Sequence, residues 1–247
     1  MPALNKAFSA PKMLLISAAA LVAGLSGCAS QGPTDDPVAR HFSWEYYVGG
    51  DDIARSCAPG SPDRYRMVYN AIYDEQRRSY DFTPLDEAGQ DKGAMMLEAR
   101  AMAPANLVTI KLNDPIGPWR GAASLRKLTA AEFAGIKAGL EQAGFSKPAP
   151  KGMFLRGDDF YWTASACING AFHFHAWNNE QPGFAALPFL ALLAPFDATG
   201  VEPNPPRAVA LLPYGSWPGQ TQDSMRPQPH RFRVGDNGLD YGRALRI

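Results

Sequence analysis

Apolar and polar residues alternate with different periods along this chain, and the changes of period mark its elements. Phe42, Trp44, Tyr46 and Val48 alternate with their neighbours as in a strand that starts after His41. The run Gly49-Gly50-Asp51-Asp52 ends it. Tyr65 to Tyr73 is rich in aromatic and β-branched residues, which predicts a strand. A turn over Asp74-Glu75-Gln76-Arg77 would return the chain as Ser79 to Thr83. Tyr65, Val68, Tyr69 and Ile72 also fit a helical spacing, so a helix is the rival for that first segment. Gly93 to Met102 is composed of good helix formers and predicts a short helix. Leu107 to Leu112 predicts a strand, ended by Asn113-Asp114-Pro115.

Two elements carry stronger signals. Thr129 and Glu132 form a capping-box pattern, Leu128 and Phe133 take the hydrophobic-staple positions, and Phe133, Ile136 and Leu140 make one apolar stripe before Gly144. That is a helix, and its stripe needs a sheet or another helix to cover it. Further on, Phe160 to Ile168 and Ala171 to Trp177 flank Asn169-Gly170, the preferred pair for a two-residue type I′ hairpin turn. Such a turn fixes the register. Cys167 faces Phe172, Ala166 faces His173, Ala164 faces His175, and Trp162 faces Trp177. One face then carries Cys167, Phe172 and Phe174. The other carries Trp162, Ala164, Ala166, His173, His175 and Trp177.

Phe184 to Phe196 is an apolar run broken by Pro188 and Pro195, too short to span a bilayer and suited to a core or a contact patch. Residues 197–230 read as loop, with Ala208 to Leu212 a strand inside it. Arg231 to Val234 and Leu239 to Tyr241 flank Gly235-Asp236-Asn237-Gly238, a second hairpin signal. There is no internal repeat and no domain break after residue 41. These elements predict an α+β fold: a mainly antiparallel sheet with one to three helices packed on it, in a single domain over 41–247.

The N-terminus has a different character. Lys6 and Lys12 precede Met13-Leu-Leu-Ile-Ser-Ala-Ala-Ala-Leu-Val-Ala-Gly24, which is followed by Leu25-Ser26-Gly27-Cys28. A positive stretch, a short Ala-rich apolar run and small residues before a cysteine resemble the signal and lipobox of bacterial lipoproteins. The resemblance covers only about the first thirty residues. It implies a signal peptide over 1–27, cleavage before Cys28, and a diacylglycerol and further acylation (palmitate among the chains) on Cys28; the polar run behind it, punctuated by Pro33 and Pro37, predicts a flexible tether over 28–40. Two or more acyl chains hold a protein stably to a membrane. Ala29 in place of Asp implies the outer membrane, on its periplasmic face. The alternative is an ordinary secretory signal cut near Ala29, with Cys28 incidental.

Composition narrows the body that remains. Removing 1–27 leaves 220 residues, enough for one core. A hydrophobic fraction of 46% argues for a folded domain, while 23 Gly and 22 Pro predict many turns. Lys6 and Lys12 leave with the signal and no acidic residue does, so 22 basic residues face 24 acidic ones. That balance gives no electrostatic footprint for nucleic acid. With Cys28 used for lipid, Cys57 and Cys167 remain as a pair in an oxidising compartment, which predicts a disulfide. The alternative is two separate thiols.

Candidate chemistry is sparse. His173 and His175 share a strand face, each opposite an alanine, with Trp162 and Trp177 as walls. Two such imidazoles can ligate zinc, with a third ligand from Asp158, Asp159, Glu180 or His230. The same face can serve as a ligand cleft for a sugar or peptide, with Asn178 and Asn179 nearby, or simply as a half-buried structural face. Ser124-Leu125-Arg126-Lys127 matches the Ser-x-x-Lys pattern of penicillin-binding proteins, but the helix signals begin only after the lysine and Lys-Thr-Gly is absent. No Gly-x-Ser-x-Gly, His-Glu-x-x-His or phosphate-loop motif occurs, and Asp236-Asn237-Gly238 lacks a calcium-loop ligand series. The expectation is a lipid-anchored envelope protein with a non-catalytic binding or scaffolding role toward an envelope protein or glycan. The alternative is a metal-dependent hydrolase of an envelope polymer using His173 and His175.

Overall fold

The computed structural model describes residues 44–85, 92–102, 121–211 and 230–240. The signal segment with Cys28, the tether, Phe42, the strand expected over Leu107 to Leu112, Leu212 and Tyr241 lie outside them. The described elements in chain order are α1 (Trp44–Gly49), α2 (Asp51–Ser56), β1 (Arg64–Ala71), β2 (Gln76–Pro84), β3 (Met95–Met102), β4 (Ala122–Leu128), α3 (Ala130–Gln142), β5 (Phe154–Arg156), β6 (Phe160–Ile168), β7 (Ala171–Asn178), α4 (Phe189–Leu193) between two short 3₁₀ turns, and β8 (Arg231–Arg233). Six strands form one antiparallel sheet in the order β4-β3-β2-β1-β6-β7, and β5 with β8 makes a two-stranded ribbon. The α+β architecture expected from the sequence is the one observed.

The hairpin and the capped helix form as their local signals require. Asn169 and Gly170 both have positive φ, 51° and 76°, as a type I′ turn demands. The register is the one expected, from Cys167 opposite Phe172 to Trp162 opposite Trp177. At the start of α3 the Thr129 hydroxyl accepts from the Glu132 amide while the Glu132 carboxylate accepts from the Thr129 amide. Three segments depart from expectation. Gly93 to Met102 is strand β3, not a helix: Met95, Leu97, Ala99 and Ala101 are buried while Met96, Glu98, Arg100 and Met102 are not. Pairing with β2 on one side and β4 on the other outweighs helix propensity. Trp44 to Val48 is helical, not extended, and stacks Trp44 on Tyr47, three residues on. Residues 208–211, within the strand expected over Ala208 to Leu212, make no strand pairing, and Val209 only rests against the core.

Each face of the sheet has its own core. On the first, α3 and α4 bring Phe133, Ile136, Leu140, Phe189 and Leu193 onto Tyr65, Met67, Tyr80, Phe82, Leu97 and Trp162. The apolar run Phe184 to Phe196 thus serves this core through Phe184, Phe189 and Leu193. Helix α3 comes so close that a Cβ on Gly139 would sit 2.1 Å from a Leu192 methyl. On the second face, α1, α2 and the ribbon cover β1, β6 and β7 through Val48, Val68, Leu155, Tyr161, Phe174 and Phe232.

Each face also holds a buried arginine. Arg66 lies beneath α1 and α2, with paired bonds to Asp52 (2.7 and 2.9 Å), one to Asp81 (2.7 Å) and the Tyr47 ring at 3.8 Å. Arg78, on the opposite face, meets Asp197 at 2.5 Å and the Val201 carbonyl at 2.8 Å. A disulfide joins Cys57, just after α2, to Cys167 at the end of β6, with Cα atoms 5.5 Å apart. Ser124 and Lys127 sit on β4, where residues three apart point to opposite faces, so the Ser-x-x-Lys arrangement does not form.

Candidate functional site

The strand parity of β6 and β7 places His173, His175, Trp162 and Trp177 on one face. Their surroundings differ from an open cleft. Trp162 stacks on Tyr69 at 4.5 Å and meets Phe189 edge-on at 5.2 Å, and Trp177 also meets Phe189, at 5.0 Å. Phe189 of α4 fills the space between the two tryptophans. Trp177 donates its indole N–H to the Ala143 carbonyl at the end of α3 (3.0 Å). His175 lies 4.7 Å from the Trp177 ring, and its Nδ1 bonds to the Lys147 carbonyl at 3.2 Å. That bond makes Nδ1 the protonated nitrogen. Burial holds the His175 imidazole below its ordinary pKa, more than the Lys147 carbonyl raises it. His173 remains half-buried beside Phe145, with ring centroids 6.5 Å apart.

The residues considered as third metal ligands are placed elsewhere. Asp158 takes two bonds from Arg156, at 2.9 and 2.7 Å. Asp159 accepts from Asn179 at 3.0 Å, and burial raises its pKa. His230 bonds Tyr161, whose side chain points to the other face of the sheet. Among the described residues, no three His, Cys, Asp or Glu side chains gather closely enough to hold a metal ion.

His230 has an environment that sequence reasoning missed. Its Nε2 lies 3.0 Å from the Tyr161 hydroxyl, which in turn accepts from the Trp44 indole at 3.4 Å. The ring stacks on Phe232 at 4.4 Å and meets Tyr73 edge-on at 4.8 Å. A Cβ on Gly157 would come within 2.7 Å of the imidazole, so only glycine fits there. Burial drives the His230 pKa down to about 3; Arg77 adds to this and Asp158 opposes it. The unfolded chain therefore binds a proton that the folded chain refuses. Stability is complete above the unfolded pKa near 6.5 and declines as pH falls toward 3, by roughly 3 kcal/mol at pH 4. Urea midpoints across this range should show that slope, and His230→Gln should flatten it by about one proton. An unchanged slope in the variant would mean that His230 is not the group responsible.

The end of β7 offers a different surface. Loop 150–153 and turn 178–182 border a shallow, open cleft of about 440 Å³, lined by Pro150, Lys151, Met153, Asn178, Glu180, Gln181 and Pro182. Asn178 ties its two sides together: its amide group donates to the Phe154 carbonyl at 3.1 Å, and its backbone N–H donates to the Gln181 side chain at 3.1 Å. One cation, one anion, two carboxamides and an apolar floor can grip a polar chain. Asn178 stands beside the histidines in sequence; Lys151 and Met153 carry no such signal, although the turn-forming Pro150 and Gln181-Pro182-Gly183 mark both rims. No known family model, curated protein or solved structure matches this chain.

Proposed function

We propose that this protein is a lipid-anchored component of a bacterial cell envelope, with a non-catalytic binding or scaffolding role. Cys28 carries the lipid, and the cleft at the end of β7 is a contact site for an envelope protein or glycan. The observation that supports this is the Cys57–Cys167 disulfide. It suits an oxidising compartment and takes up two of the three cysteines. Cys28, the cysteine left over, stands behind the lipobox-like Leu25-Ser26-Gly27. The seven cleft residues include polar and apolar groups suited to holding a chain, while His175, Trp162 and Trp177 are buried.

The test is Cys28→Ser. The wild-type protein should float with membranes and incorporate palmitate; the variant should incorporate none and lose stable membrane association. A variant that stays in the membrane fraction as fully as wild type, with neither form carrying palmitate, ends the lipoprotein reading.

A further inference from the structure

The ribbon of β5 and β8 divides its side chains by face. Leu155 and Phe232, directly paired, point into the core and are buried. Phe154 pairs with Arg233 and Arg156 with Arg231, so one phenylalanine and three arginines share the outward face. Arg231 lies over the Phe154 ring, 3.5 Å from its centroid, and Phe154 is still 39% exposed. Arg233 is exposed. Asp158 answers Arg156, and Asp236 answers Lys151 at the rim through an exposed pair that water screens.

The ribbon also lies close to the start of α1. Trp44, the first described residue, bonds Tyr161, which bonds His230, the residue before β8. Helix α1 and the ribbon cover the same face of the sheet. Fifteen residues lie between Cys28 and Trp44. The sixteen steps from Cys28 to Trp44 reach at most roughly 50–60 Å. An anchor at Cys28 therefore holds this face within reach of the bilayer.

We infer that the outward face of the β5–β8 ribbon docks on the anionic headgroups of the bilayer that carries Cys28, with Phe154 entering the interface and Arg233 pairing with a lipid phosphate. This rests on the lipid-anchor reading above. Aromatic side chains settle at the level of lipid headgroups, and each arginine near an anionic surface strengthens binding about fivefold, less at high salt. Together with the acyl chains these contacts fix the orientation of the body, and the histidine face and α3 then point away from the bilayer.

The experiment places an environment-sensitive dye on Phe154→Cys, and on Ala138→Cys of α3 as the control, in the full chain as isolated from cells. Vesicles are of phosphatidylcholine alone or of an equal mixture with phosphatidylglycerol. The dye at 154 should shift to the blue and be quenched by nitroxide lipids in the anionic vesicles. High salt should weaken the response, and Arg233→Glu should reduce affinity at least fivefold. The dye at 138 should stay in water. Intact mass reports acylation of Cys28 separately. Acylated protein whose dye at 154 remains in water on both vesicles overturns the docking proposal and leaves the anchor standing. Protein without acyl groups overturns the anchor, while the dye still decides whether the ribbon binds anionic lipid. An equal response to dissolved polyglutamate makes the ribbon a general polyanion surface and overturns the membrane assignment.

Discussion

Reduction of the Cys57–Cys167 disulfide should lower the stability of the folded domain by about 4–5 kcal/mol, the chain-entropy value for closing a loop of this length. The bond spans 110 residues. That interval contains β1 to β4, α3, β5 and most of β6, so the unfolded chain is restricted over much of its length. Cys167 is buried against the hairpin, while Cys57 is only partly covered, so a reductant reaches the bond from the α2 side. Urea unfolding of the wild type with and without dithiothreitol measures the effect, and Cys57→Ala with Cys167→Ala should reproduce it. A loss below about 1 kcal/mol would show that the bond does little to restrict the unfolded chain.

Asp197→Ala should cost about 3–5 kcal/mol, because it leaves a charged Arg78 buried without its counter-ion. Arg78 is 1% exposed and Asp197 6%. The carboxylate also accepts from the Tyr80 hydroxyl at 2.8 Å, and from the Thr199 hydroxyl and amide at 2.6 and 3.0 Å. Burial alone would raise the Asp197 pKa, but the bonds from Arg78, Thr199 and Tyr80 outweigh it and hold the group below its ordinary value. The stabilisation is therefore present above the unfolded carboxyl pKa and is lost as pH falls through the folded one. Removing the charge pair together, as Arg78→Met with Asp197→Leu, should cost markedly less than the single change. A double variant as unstable as Asp197→Ala would show that shape, not the stranded charge, sets the cost.

What could be read from the chain depended on how local each cause was. Asn169-Gly170 fixes its own turn, because both residues must accept positive φ, and the register of sixteen residues follows. Thr129 and Glu132 cap each other within one turn. The segment Met95 to Met102 misled because alanine, methionine and leucine favour helices in isolation, while the alternation that decides the matter is only half apolar against polar. Met96 and Met102 are apolar residues on the less buried side. Arg64 to Ala71 was ambiguous for a related reason: Arg64, Arg66 and Asn70 alternate with Tyr65, Met67 and Tyr69, but Val68 breaks the alternation and, with Tyr65, Tyr69 and Ile72, also fits a helical spacing. The partners of Arg78 were not legible, since Asp197 lies 119 residues away and the pairing exists only once 197–204 crosses the sheet face. The histidine face was placed correctly. Its covering by Phe189 could not be foreseen, because it depends on where α4 lands.

The position of the disulfide also determines how the domain bears mechanical load. A pull on the chain ahead of Trp44 acts first on α1 and α2, whose hold on the sheet is the short arc of contacts around Val48, Ile53 and Arg66. Force then arrives at Cys57 and divides. One branch runs through sulfur to Cys167, the other along residues 58–63 to Arg64, and these two endpoints are register partners on neighbouring strands. Both branches thus converge on the same rung of the sheet, so tension from the N-terminal side loads β1 and β6 together at that end. The thirteen residues from 44 to 56 therefore yield before the six-stranded sheet behind them takes the load.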